Sequence, residues 1–208
     1  MASRVKKITS ISVRQFYESH HEALQLRLVG ESEKGLERAI REPAPNRPGL
    51  ALAGFFTYFA NKRIQVVGNS EVSYLKKLSP EVRSKRFRQL CERGIPCIVT
   101  SRNHVLPDDL LTIAAEYELP IIRTPMVTMQ FLNMASILLE QEFSESITMH
   151  GCMVDYRGVG ILIIGSSGSG KSETAIGLLE RGGALVADDV VRMQHHGCLL
   201  YTSPSPRD

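Results

Sequence analysis

The residues richest in chemical content are Gly165, Ser166, Ser167, Gly168, Ser169, Gly170, Lys171 and Ser172, which fit the spacing GxxxxGK[ST] of a phosphate-binding loop. Glycines without a Cβ let the backbone close around a polyphosphate, and the amides of the loop and of the next helical turn point at the anion. Lys171 then supplies a mobile positive charge to the β- and γ-phosphates of a nucleotide such as ATP, and the Ser172 hydroxyl a ligand for Mg²⁺. The apolar run at 159–164 ahead of the motif and the helix-like run at 172–181 behind it give the strand–loop–helix order that the motif needs.

Three further residues belong to the same chemistry. Asp188 and Asp189 close the apolar stretch 184–187. A carboxylate there can organise Mg²⁺ or take a proton from a nucleophile, or it can be an ordinary solvated strand end; the spacing leaves both open. Adjacent residues on a strand face opposite sides, so at most one aspartate faces the phosphates unless the strand ends between them. His150 is singled out by its place in a hairpin whose second strand delivers the loop. There an imidazole that titrates near neutral pH can give a hydrogen bond or a proton to phosphate. Cys152 reads as a small buried hydrophobe, and Glu173 as a charge that suits a helix N-terminus.

The elements that must position these groups follow from pattern. Helical character at 12–21 precedes a short β-like stretch at 26–29, and the three prolines of 42–49 exclude regular helix there. Strands at 64–67, 95–100 and 120–122 alternate with helices at 71–78, 80–93 and 107–118, the signature of an α/β layer with parallel pairing. A longer helix at 128–143 leads to the β-like runs 147–151 and 159–164, with a turn at 155–158 between them. The expected architecture is an N-terminal α/β domain over 1–135, followed by the first half of a P-loop kinase domain over 136–196.

Bulk properties exclude some classes. The chain has 208 residues and a net charge of +3, too small to argue for nucleic acid. The basic cluster Arg83, Lys85, Arg86, Arg88 reads as the solvated face of a helix. Cys91, Cys97, Cys152 and Cys198 form no CxxC pair, so neither zinc nor a redox dithiol is indicated. No apolar run approaches a membrane span and no signal peptide stands at the start, so a soluble cytoplasmic protein without membrane contact is expected.

Taken together, His150-Gly151, the turn Gly158-Val-Gly160, the loop 165–174 and Leu185-Val-Ala-Asp-Asp189 resemble the catalytic domain of the HPr kinase/phosphorylase family. Arg47-Pro-Gly-Leu50, Ala53-Gly54 and Arg63-Ile-Gln-Val-Val-Gly68 resemble that family's N-terminal domain. The resemblance covers nearly all of 11–193. It implies an ATP- and Mg²⁺-dependent kinase acting on a serine of HPr, the phosphocarrier of bacterial sugar uptake, and a reverse phosphorolysis that releases pyrophosphate. It also implies Asp189 as the proton acceptor, and donor in reverse, with Asp188 beside it and His150 at the phosphate. Homo-oligomers, typically hexamers, are implied as well.

The family's later glutamate-bearing segment is missing from the sequence, which reads as a C-terminal truncation, and 197–208 resembles translated sequencing-adapter DNA rather than native chain. A small-molecule P-loop kinase and a non-catalytic nucleotide-binding module stand as alternatives. A GTPase does not, because the one NKxD candidate, Asn61-Lys-Arg-Ile64, lacks the aspartate and lies upstream of the loop.

Overall fold

The computed structural model describes residues 4–6, 8–30, 33–196 and 199–203. It divides into two compact units, one of residues 9–143 and one joining 1–8 to 144–208. In chain order the elements up to residue 143 are β1 (Arg4–Lys6), β2 (Ile11–Ser12), α1 (Val13–His20), β3 (Arg27–Val29), β4 (Ala39–Ile40), α2 (Gly49–Leu52), β5 (Gln65–Val67), α3 (Asn69–Lys77), α4 (Pro80–Cys91), β6 (Ile98–Thr100), α5 (Asp108–Glu116), β7 (Ile121–Arg123) and α6 (Thr128–Phe143).

The 9–143 unit is an α/β layer. Its sheet runs β3-β7-β6-β5, with β5, β6 and β7 parallel and β3 antiparallel to β7. Every residue of β5 and β6 is buried, as strands covered on both faces require. The helices start where side chains can satisfy free amides. Ser12 and Gln15 form a reciprocal capping box at α1, and the Ser79 hydroxyl accepts from the Val82 amide ahead of α4, with Pro80 in the first turn. Leu110, Ile113 and Ala114, spaced i, i+3, i+4, turn one face of α5 into a core shared with Phe87, Leu90 and Cys91 of α4. Two residues of the basic cluster of α4 are tied to α5: Arg83 forms two hydrogen bonds with Asp109, at 2.9 and 3.0 Å, and Arg88 pairs with Glu116, while Lys85 is exposed. α6 lies within this unit in full and ends at its boundary.

The second unit adds β8 (Ser146–His150), β9 (Cys152–Tyr156), β10 (Val159–Ile163), α7 (Lys171–Leu179), β11 (Ala184–Ala187), β12 (Val190–His196) and β13 (Leu199–Ser203). These make two antiparallel sheets, β1-β8-β12-β13 and β10-β9-β11. Met153, Ala187, Val191 and Met193 pack together, while Cys152 and Val154 pack with Ala175 of α7.

One sequence expectation is corrected here, and another lies partly beyond what the structure describes. The run 147–151 and the strand leading to the loop are not partners in one hairpin: an additional strand, β9, intervenes and makes the hairpin with β10, while β8 pairs with β1 and β12. The chain changes sheets at Gly151, whose amide bonds to Asp189 O. The stretch set apart as foreign, 197–208, lies partly outside the described residues; of the rest, Leu199–Ser203 pairs antiparallel with β12. Among the described residues no helix is long and apolar enough to cross a membrane.

Candidate active site

β10 delivers the chain into the loop, which turns into α7 through Gly168 at φ 75° and Gly170 at φ 82°. An L-residue in that left-handed region costs about 1–2 kcal/mol, which accounts for glycine at the turn. Gly170 is the residue before the helix, and no side chain caps α7. Ser166, Ser167, Gly168 and Ser169 are exposed. The loop therefore presents an uncapped helix N-terminus, with its partial positive charge, to whatever occupies the seat.

Lys171 lies across this seat and donates from Nζ to Gly165 O at 3.1 Å and to Ser166 O at 2.8 Å. Ser172 and Glu173 follow on the exposed first turn. No group of three or more His, Cys, Asp or Glu side chains is placed to hold a metal among the described residues. A Mg²⁺ held by one serine hydroxyl and phosphate oxygens fits this donor set, since that ion keeps several waters and seldom uses an all-protein cage.

Asp188 and Asp189 do not lie on a strand. β11 ends at Ala187, and the two aspartates form the turn into β12. Val190 N–H donates to Asp188 O at 2.8 Å, and Asp189 adopts φ 63°. The turn is gripped by three consecutive residues. His150 Nδ1 lies 3.3 Å from Asp189 O, Gly151 N–H donates to that same oxygen at 3.1 Å, and Cys152 Sγ–H donates to Asp188 Oδ1 at 2.7 Å. With Nδ1 donating to a carbonyl, Nε2 of the exposed His150 has no hydrogen-bond partner among the described residues. The Asp189 carboxylate has no hydrogen bond or ion pair among the described residues.

β9 joins the two halves of the site. Its first residue, Cys152, pairs in register with Ile163 at the end of β10, two positions before Gly165, and β11 meets β9 through Ala187 and Met153. The loop and the aspartate turn thus leave the same end of one three-stranded sheet. The structure brings His150, Asp188 and Asp189 together, and the loop residues 165–172 keep their helix-starting geometry.

Sequence reasoning missed the role of Cys152. It is buried, yet its thiol is hydrogen-bonded to Asp188, and that bond, together with burial, raises its pKa. No local pattern signals this, because only the pairing of β9 with β11 makes them neighbours. A surface depression of about 710 Å³, lined by Val29, Leu111, Ala114, Leu119 and Ile121, lies in the other unit and is mostly apolar. Glu33, Lys34 and Glu118 also line it.

Comparison with known proteins decides the family. Residues 11–139 match the HPr serine kinase N terminus and residues 141–206 match the HPr serine kinase C-terminal domain. The chain belongs to the HPr serine kinase family. Its relatives include the HPr kinase/phosphorylase of Listeria welshimeri, 42% identical over 185 residues, covering 89% of this chain and 59% of that protein. The HPr kinase/phosphorylase of Halalkalibacterium halodurans is 40% identical and covers 88% of this chain and 59% of that protein. The chain thus spans about three-fifths of the length of these members of the HPr serine kinase family. Among solved structures, the CBS and DRTGG domains of a Clostridium perfringens pyrophosphatase give a TM-score of 0.39 at 14% identity, over 61% of this chain and 46% of that one, too weak a likeness to argue from.

Proposed function

We propose that this chain carries the nucleotide-binding half of a Mg²⁺-ATP-dependent protein-serine kinase whose acceptor is HPr, with phosphorolysis of phosphoserine-HPr as the reverse reaction. The observation that carries the reading is the joint placement of an uncapped Gly-turn helix start and a braced aspartate pair at one end of the β10-β9-β11 sheet. ATP supplies the transferable phosphoryl group, and Mg²⁺ offsets charge on its oxygens.

The residues divide the remaining work. The loop amides and Lys171 hold the phosphates, and Ser172 ligates the metal. Asp189, with an uncommitted carboxylate, accepts the proton of the attacking serine hydroxyl, and by microscopic reversibility returns it when inorganic phosphate attacks phosphoserine. Asp188 is its fixed neighbour. His150, anchored through Nδ1, leaves Nε2 to meet a phosphate oxygen when protonated. The family relationship supports HPr as partner, assembly as a homo-oligomer and action in the cytoplasm. Size-exclusion chromatography with light scattering tests the assembly.

A non-catalytic nucleotide-binding module is the second reading, favoured by Lys171 resting on the loop's own carbonyl oxygens. Incubation of the purified chain with Mg²⁺-ATP and HPr, beside a version completed with a relative's remaining C-terminal portion, separates the two. Phosphoserine from the completed protein alone assigns the chemistry to the family and shows that it needs residues beyond these 208. Phosphoserine from neither, with nucleotide still bound, supports the non-catalytic module, and phosphorylation of a metabolite instead of HPr supports a small-molecule kinase.

A further inference from the structure

The aspartate turn is a conformation that needs restraint. It closes between residues i and i+2 around Asp189, whose φ of 63° is uncommon for a residue with a side chain. Such backbone persists only where neighbours over-determine it. Two of the three restraints, His150 Nδ1 and the Gly151 amide, act on the carbonyl of Asp189. Only Cys152 reaches the Asp188 side chain from another strand among the described residues. Asp188 Oδ1 then accepts twice, from the Cys152 thiol and from the Asp189 amide at 3.0 Å.

We infer that Cys152 is a positioning residue for the aspartate pair: its thiol, fixed in the β9 core and donated to Asp188 Oδ1, holds the Asp188–Asp189 turn in the form that leaves the Asp189 carboxylate free. The consequence for phosphoryl transfer rests on the kinase reading above; the restraint itself does not. Burial of Cys152 among Val154, Ala175 and the partly buried Ile163 and Leu178 keeps the donor stationary, so the bond does not depend on ordering a mobile side chain. The Asp188 carboxylate in turn raises the thiol's pKa, which keeps the proton on sulfur where it is needed.

The test uses the full chain and its C152A, C152S and D188N variants. Native-state hydrogen exchange followed by NMR reads the restraint directly. In C152A the Gly151 and Val190 amides exchange about tenfold faster, the loss of one hydrogen bond, while amides of the 9–143 unit keep their rates. C152S, which retains a donor, restores protection. The S–H stretching band assigned to Cys152 by difference against C152S moves toward that of a free thiol in D188N. Unchanged turn amides in C152A, a uniform change across the whole chain, or an S–H band indifferent to D188N overturns the inference. Phosphoserine assays in parallel read the reaction. If the chain turns over, C152A lowers kcat and alters the pH profile with KM for Mg²⁺-ATP retained, and C152S rescues both; an unaltered kcat and pH profile overturns the inference. No turnover by this chain, with the exchange and S–H results as expected, supports the positioning role, and the completed protein then decides the kinase reading separately.

Discussion

Two helices of this chain begin in the same way and differ in what fills the space before their first turn. α3 leaves β5 through Gly68, and α7 leaves β10 through the loop ending at Gly170. At α3 the seat is filled from within: the buried Glu71 turns back to accept the Gly68 amide at 3.0 Å, and Arg47 clamps that carboxylate with two hydrogen bonds of 3.0 and 3.1 Å. Thr128 closes the space above Gly68, where an added Cβ would lie 2.5 Å from its Oγ1. At α7 no side chain takes the seat, and the lysine that could neutralise an anion is parked on the loop's own carbonyls. A strand–glycine–helix junction is therefore not in itself a phosphate site. What decides is whether the chain supplies its own carboxylate.

The largest effect expected from breaking this contrast is at Lys171. Lys171→Ala should lower Mg²⁺-ATP affinity by about 2–3 kcal/mol, the range for a hydrogen-bonded charged group. Isothermal titration calorimetry measures it, and Arg47→Ala in the other junction should leave that affinity unchanged. Next is Glu71→Ala, expected to destabilise the 9–143 unit by about 1–3 kcal/mol in denaturant unfolding, because a buried amide loses its partner. The variant also sharpens the comparison: with its carboxylate gone, α3 should gain a small stabilisation from added phosphate that the parent chain lacks at this helix.

Smaller still is the ion pair between α4 and α5. Burial pushes the Asp109 carboxyl up, but hydrogen bonds from Arg83 and Ser84 outweigh that and hold its pKa below the ordinary value. A depressed carboxyl stabilises the fold above its unfolded pKa and ceases to do so as pH falls through its folded one. Unfolding midpoints of the parent and Asp109→Asn should therefore differ by about 1 kcal/mol near neutrality and converge in acid.

The thiols supply the finest test. Burial, against the opposing charge of Arg38, drives Cys91 and Cys97 up to about 12, whereas Cys152 is raised first by its bond to Asp188. Asp188→Asn should speed alkylation of Cys152, read by peptide mapping at mildly alkaline pH, and leave Cys91 and Cys97 inert.

The contrast also marks what sequence can carry. The glycine turn into α7 was legible because its residues are contiguous, and the parallel strands of the first unit because their apolar runs alternate with helix periods. The strand ending before Asp188 was not, because a turn of two aspartates after Ala187 looks like a continued strand until β12 is known to pair with β8. β9 escaped notice for a related reason: Met153 and Val154 are both buried, so the alternation that identifies a one-faced strand is absent. Glu71 and Arg47 lie 24 residues apart, and their clamp exists only once β5 and α3 are in place.

The resting position of Lys171 has a thermodynamic consequence. Its ammonium already has two carbonyl partners, so an arriving phosphate does not meet a cation stripped of ligands; it competes for one. Binding is then an exchange of partners, in which the net heat from this contact is a difference between phosphate and carbonyl hydrogen bonds rather than the whole of either. The loop is left with two carbonyls that must turn to water or to the ligand's own donors. Weakly accepting anions should accordingly fail to draw the lysine away, and the junction should discriminate among anions by basicity before it does so by shape.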